Sequence, residues 1–159
     1  MSPVAGAGDD AALVGLVIVS HSAKVADGTL ELASQMAGDD VRIVAAGGLE
    51  DGSIGTDATR IMAAIEAADS GAGVVVMVDL GSAVLSASTA LELLDPAQAA
   101  RVRLSRGPVV EGAIVAAIQA SIGIMEIWPS GDSSVVSMIT MARASTKPPV
   151  IAAVHWWRL

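Results

Sequence analysis

Cysteine is absent from the 159 residues, so neither a disulfide framework nor a thiolate metal site is open to this chain. Phenylalanine and tyrosine are absent as well, and the three tryptophans, Trp128, Trp156 and Trp157, all lie late in the chain. Base-stacking platforms need exposed aromatic rings, which argues against single-stranded nucleic acid as a partner. Basic residues are few, 9 against 17 acidic ones, and the resulting formal charge of -8 repels a phosphate backbone. With only two histidines, His21 and His155, a multi-histidine metal centre is not expected.

Long apolar runs are also lacking, although 53% of the residues are hydrophobic. The stretch most like a membrane span, Gly112 to Gly131, contains Gln119 and is interrupted by Glu126 and Pro129. A spanning helix needs about 20 predominantly apolar residues, so no membrane association is expected. Asp9 and Asp10, with no early Lys or Arg, do not resemble a secretion signal. One cytoplasmic domain is the expectation from length and composition.

What is present is an alternation of short β-branched runs and helical stripes. Residues 1–12, rich in Gly, Ala and Asp, read as a flexible leader. Leu13 to Val19 is an apolar run stopped by Ser20-His21-Ser22, as suits a central parallel strand buried on both faces. A helix follows from Lys24 to Met36, with Val25, Leu32 and Met36 on one stripe. Val41 to Ala46 is a second strand, and Gly47 to Gly55 a loop. The next helix spans about Thr56 to Ala68, striped by Ala58, Ile61, Met62, Ile65 and Ala68. Val74 to Val78 is a third strand, ended by Asp79. A helix from Ser82 to Leu94 is striped by Val84, Ser88, Leu91 and Leu94. Val102 to Leu104 is a fourth strand and Val110 to Ala120 a fourth helix.

The order β-α-β-α-β-α-β-α predicts an α/β fold of three αβα layers on a mostly parallel sheet of four to five strands, with right-handed crossovers. The domain is expected to cover 13–121. Beyond Ser121 the periodicity stops, and 122–159 reads as a divergent tail.

In an open parallel sheet, ligands bind outside the carboxyl ends of the strands. That edge collects His21 after the first strand, Gly55-Thr56-Asp57 before the second helix, and Asp79-Leu80-Gly81-Ser82 after the third strand. Neutral imidazole is a nucleophile near pH 7, since its unperturbed pKa is about 6.5. One ring nitrogen can attack phosphorus while Asp79 accepts a hydrogen bond from the other, the orienting role a carboxylate has in catalytic triads. Backbone N–H groups near Thr56 and Ser82 can supply donors to phosphoryl oxygens. On residue type alone, His21 is equally compatible with a structural role, and Thr56 and Ser82 with helix capping. No Walker loop, G-x-G-x-x-G or G-x-S-x-G is present, and Ser20 and Ser22 are not expected to aim inward with His21.

Four segments in order carry a resemblance: Leu16-Val17-Ile18-Val19-Ser20-His21-Ser22, Gly55-Thr56-Asp57-Ala58, the run from Val76 to Ala87, and Val110-Glu111-Gly112-Ala113. Together they resemble the mannose-type EIIA family over about Leu13 to Ser121. Gly55-Thr56-Asp57 and Leu85-Ser86-Ala87 favour its branch serving the phosphotransferase-system-dependent dihydroxyacetone kinase over the sugar-transporting branch. The resemblance implies that His21 is transiently phosphorylated beside Asp79, and that Gly55, Thr56, Leu80, Gly81 and Ser82 line the phosphate pocket. It implies HPr as donor and ADP held on DhaL as acceptor, with DhaK completing the dihydroxyacetone-phosphorylating complex. It implies no cofactor on this chain, since the nucleotide resides on DhaL, and a homodimer. HPr-like and enzyme I-like domains do not fit in this length, so a separate donor is expected. The alternatives are an EIIA component of a sugar permease and a non-catalytic regulatory partner. Residues 122–159 depart from the family pattern, in which another amphipathic helix is expected.

Overall fold

The computed structural model describes residues 12–105 and 107–125. Strand β1 (Gly15–Ser20) is followed by α1 (Ala23–Ala37), β2 (Ile43–Gly47), α2 (Ala58–Ala68), β3 (Val74–Val78), α3 (Gly81–Leu93), a single turn α4 (Pro96–Ala99), β4 (Val102–Ser105) and α5 (Val109–Ser121). All strands pair in parallel in one four-stranded sheet of order β2-β1-β3-β4. Both central strands are buried throughout, whereas at the edges β2 is half-buried from Ile43 to Ala45 and β4 at Arg103 and Leu104. The fold is therefore the α/β architecture expected, with four strands among the described residues.

Pleating divides the core between the two faces of the sheet. Val17, Val19, Val74, Val76 and Val78 point to one side, where α2 and α3 cover them with Ile61, Ile65, Ala83, Ala87 and Ala90. Leu16, Ile18, Val75 and Met77 point to the other, against α1 and α5. The inner faces of α1, α3 and α5 are almost entirely alanine. Methyl-sized contacts let these helices lie close on the branched side chains of the sheet.

That packing corrects the stripe on α1. The buried positions are Ala26, Thr29, Ala33 and Ala37, while Val25, Leu32 and Met36 are 43%, 50% and 56% exposed. The larger side chains form a stripe of their own, rotated outward because the space against the sheet admits only small ones. On α3 the buried row is likewise Ala83, Ala87 and Ala90, with Val84 and Leu91 flanking it and Leu94 buried at the helix end. The one-turn α4, absent from the periodicity reading, is set by Asp95, whose carboxylate accepts the Ala97 N–H at 2.9 Å, and by Pro96 in its first turn.

Helix α2 begins at Ala58 because Asp57, not Thr56, is its N-cap: its carboxylate accepts N–H bonds from Thr59 and Arg60 at 2.7 and 3.2 Å. Such a cap contributes about 1 kcal/mol. At the end of the described residues, α5 stops at Ser121, Gly123 adopts a positive φ of 68°, and Met125 packs beneath α1 and α5. The expected leader, Ala12 apart, and the expected tail beyond Met125 lie outside the described residues. No helix among the described residues is long and apolar enough to cross a membrane.

Gly47 closes the sheet against the start of α1: a Cβ there would lie 2.6 Å from the Ala26 Cβ and 2.8 Å from the Ser22 carbonyl oxygen. Gly28, inside α1, has open space around the same position. Gly47→Ala is expected to lower the unfolding free energy by about 1–3 kcal/mol through overpacking. Gly28→Ala is expected to raise it by about 0.5–1 kcal/mol through helix propensity. Urea denaturation of the two variants beside the parent checks both signs.

Candidate functional site

The strand order reverses direction between β1 and β3: the chain leaves β1 toward β2 on one side and β3 toward β4 on the other. Such a reversal opens a crevice beyond the carboxyl ends of the two strands. His21 follows β1 directly and Asp79 follows β3, so topology alone brings this pair to the crevice.

Asp79 is the anchor of the site. Its Oδ2 accepts the Ser20 hydroxyl at 2.8 Å and the His21 backbone N–H at 2.9 Å. Its Oδ1 accepts from His21 Nδ1 at 2.9 Å and from the Leu80 N–H at 2.7 Å. Burial pulls this carboxyl's pKa upward, but the bonds from the His21 backbone, the His21 ring, Ser20 and Leu80 outweigh it, and the pKa lies below the ordinary aspartate value. The group is an ionised acceptor, which fixes the imidazole tautomer: Nδ1 carries the proton and donates to Asp79. Nε2 is then the acceptor, and the Ser82 hydroxyl donates to it at 2.7 Å. The His21 and Asp79 side chains are 18% and 17% exposed, so the imidazole remains reachable from solvent.

Ser20 is a residue that reading the sequence did not assign. It is 1% exposed. Its Oγ donates to Asp79 and accepts the Ser22 N–H at 3.1 Å, bracing the carboxylate from below. The signal that could have found it is its position as the last residue of β1, directly before His21. Ser82 stands in the first turn of α3, whose N-cap, Leu80, offers no side-chain cap.

The other expected residues divide. Gly55 is drawn to the site through its N–H, which donates to the His21 carbonyl at 2.9 Å. That donor is engaged in this conformation, as is the Leu80 N–H on Asp79. Thr56 lies against α3, its hydroxyl 2.7 Å from that of Ser86, a partner the sequence reading left out. Gly81 has open space where a Cβ would stand. The N–H groups of Gly81 and Ser82 have no hydrogen-bond partner among the described residues. They are the donors still available at this helix start to an anion in the crevice. A cleft of about 320 Å³ lined by Val78, Asp79, Leu80, Gly81 and Val84 opens beside them. No cluster of three or more His, Asp or Glu side chains suited to a metal occurs among the described residues.

The sheet and its helices have counterparts among known proteins. A family model described as EIIA-man, PTS system fructose IIA component, matches residues 15–126, and the chain belongs to that family. Within it the chain is similar to subunits named PEP-dependent dihydroxyacetone kinase, phosphoryl donor subunit DhaM. It is 49% identical to the one from Klebsiella michiganensis over 114 residues, 70% of this chain and 24% of that protein. Identity to the Escherichia coli protein of that name is 50% over 114 residues, again 24% of its length. The chain thus spans about a quarter of the length of these two relatives. A second DhaM subunit of Listeria innocua is 41% identical over 107 residues, 67% of this chain and 86% of that one. A solved structure described as unknown function protein EF1359 superposes with a TM-score of 0.64 at 38% identity, over 70% of this chain and 85% of its own.

The lowered pKa of Asp79 carries a stability consequence. A carboxylate whose folded pKa is depressed stabilises the fold above its unfolded value of about 3.9, and that contribution is lost as pH falls through the folded pKa. Asp69, whose pKa is also lowered, acts in the same direction: burial raises it, and the Gly71 N–H and the Arg101 and Gln98 side chains outweigh that. Unfolding free energy is expected to be flat from pH 7 to about 5 and to drop steeply below about 4. Asp79→Asn should be less stable at neutral pH and show a shallower acid limb, as measured by urea titrations across pH.

Proposed function

We propose that this chain is a phosphohistidine carrier that takes a phosphoryl group from phosphorylated HPr onto His21 Nε2 and passes it to ADP on DhaL. The observation supporting it most directly is the pair of bonds on one ring, Nδ1–H to Asp79 at 2.9 Å and Nε2 to Ser82 at 2.7 Å, at the solvent-reached end of β1. In the first transfer the donor's P–N bond breaks and a P–Nε2 bond forms. The proton on Nδ1 stays on the ring, and the positive charge that develops is balanced by the Asp79 carboxylate. Ser82 releases Nε2 as phosphorus approaches, and its hydroxyl and the N–H groups of Gly81 and Ser82 turn to the phosphoryl oxygens. Delivery reverses the sequence: the P–Nε2 bond breaks, a bond to the terminal phosphate oxygen of ADP forms, and ATP results.

The names of the DhaM relatives, phosphoryl donor subunits of PEP-dependent dihydroxyacetone kinase, support a donor role toward that kinase, and in this reading DhaL with DhaK phosphorylates dihydroxyacetone. In the same reading the chain works as a cytoplasmic homodimer and needs no cofactor of its own, the nucleotide staying on DhaL. A second reading follows from the family description, which covers fructose IIA components: delivery to a sugar permease.

Incubation with labelled phosphoenolpyruvate, enzyme I and HPr is expected to place an acid-labile, alkali-stable label on His21. His21→Ala should abolish it, and label retained in that variant would reject His21 as the acceptor. Asp79→Asn should slow transfer by on the order of 100-fold or more, checked by rapid-quench kinetics. Mixing the labelled protein with DhaL–ADP separates the two destinations: ATP is the expected product, and its absence favours a permease.

A further inference from the structure

Three side chains from two segments, the turn after β1 and the junction of β3 with α3, stand in the connectivity of an acyl-transfer triad. The Asp79 carboxylate holds His21 Nδ1–H at 2.9 Å, and the opposite nitrogen, Nε2, accepts the Ser82 hydroxyl at 2.7 Å. In such an array the carboxylate fixes the tautomer, the imidazole is the general base, and the hydroxyl is the nucleophile. We propose that the unphosphorylated chain uses Ser82 as a nucleophile toward small, activated acyl esters.

The surroundings of Ser82 fit that chemistry better than those of the other hydroxyls near the site. Ser82 is exposed, and its Oγ has His21 Nε2 as its hydrogen-bond partner. Ser20 is buried and bound to Asp79, and Thr56 and Ser86 bond each other. A nucleophile's own N–H is a usual oxyanion donor, and the N–H groups of Ser82 and Gly81, at the uncapped start of α3, have no partner among the described residues. The adjoining cleft, about 320 Å³, presents Val78, Leu80 and Val84 to a short acyl chain.

The reaction closes without any co-reactant but water. Ser82 Oγ bonds to the ester carbonyl carbon as its proton passes to His21 Nε2. The oxyanion collapses, the ester C–O bond breaks, and the leaving alkoxide takes the proton from Nε2. Water, deprotonated by Nε2, then attacks the acyl-serine, and Ser82 leaves with that proton while the carboxylic acid departs.

The test uses the 159-residue chain in its unphosphorylated form, so it is independent of the carrier reading. An alkyl fluorophosphonate forms a stable serine adduct with loss of fluoride, and peptide mass spectrometry locates it. The adduct is expected on Ser82, absent in Ser82→Ala, and formed at least about 100-fold more slowly in His21→Ala. An adduct on another serine, an unchanged rate in His21→Ala, or no labelling above that of urea-unfolded protein would overturn the proposal. Acid-quenched p-nitrophenyl acetate supplies the second measurement. An acetyl ester on Ser82 is expected, and acetyl found on His21 alone would show that the imidazole itself is the nucleophile.

Discussion

The Asp79 carboxylate is the joint between the two central strands at the end of the sheet where the crevice opens. One group accepts from the Ser20 hydroxyl, the His21 backbone, the His21 ring and the Leu80 backbone. An ionised carboxylate has room for about that many donors and gives none back. The turn after β1 and the start of α3 therefore converge on a single anion, and the imidazole between them has one tautomer. The reactive nitrogen, its hydroxyl neighbour and the open N–H groups of α3 are all placed by that convergence. Burial alone would push such a carboxyl toward neutrality; the four bonds hold it charged.

How much of this was legible in the sequence depends on side-chain size. Val74 to Val78 announces a buried strand because five β-branched or apolar residues in a row suit nothing else so short. The stripe of α2 is visible because Ile61 and Ile65 fill its core face. On α1 and α3 the core face is alanine, which periodicity weighs as weak, so the larger Val25, Leu32 and Met36 drew attention to a face that the structure leaves exposed. Strand-end logic put His21 and Asp79 on one rim, and the structure has them 2.9 Å apart. It could not say that Ser20, the last residue of β1, reaches the same carboxylate. Nor could it show that the N–H groups of Gly55 and Leu80 are occupied, since hydrogen-bond partners are a property of three-dimensional placement.

Membership of the EIIA-man family and likeness to DhaM subunits agree with the region where structure and motifs coincide, between β1 and the end of α5. The matched span closes within a few residues of the last helix described. The site lies wholly inside it, on loops fixed by the two most buried strands, so its geometry rests on the most deeply packed part of the fold.

The alanine facing of α3 sets the reach of the crevice. Ala83 follows Ser82 directly and Ala87 lies one turn on, both flush against the valines of β1 and β3. A bulkier residue in either place would lever the whole rod away from the sheet and draw the hydroxyl of Ser82 out of touch with the ring. Here methyl groups in the interior act as shims, tuning to fractions of an ångström a contact that none of them makes.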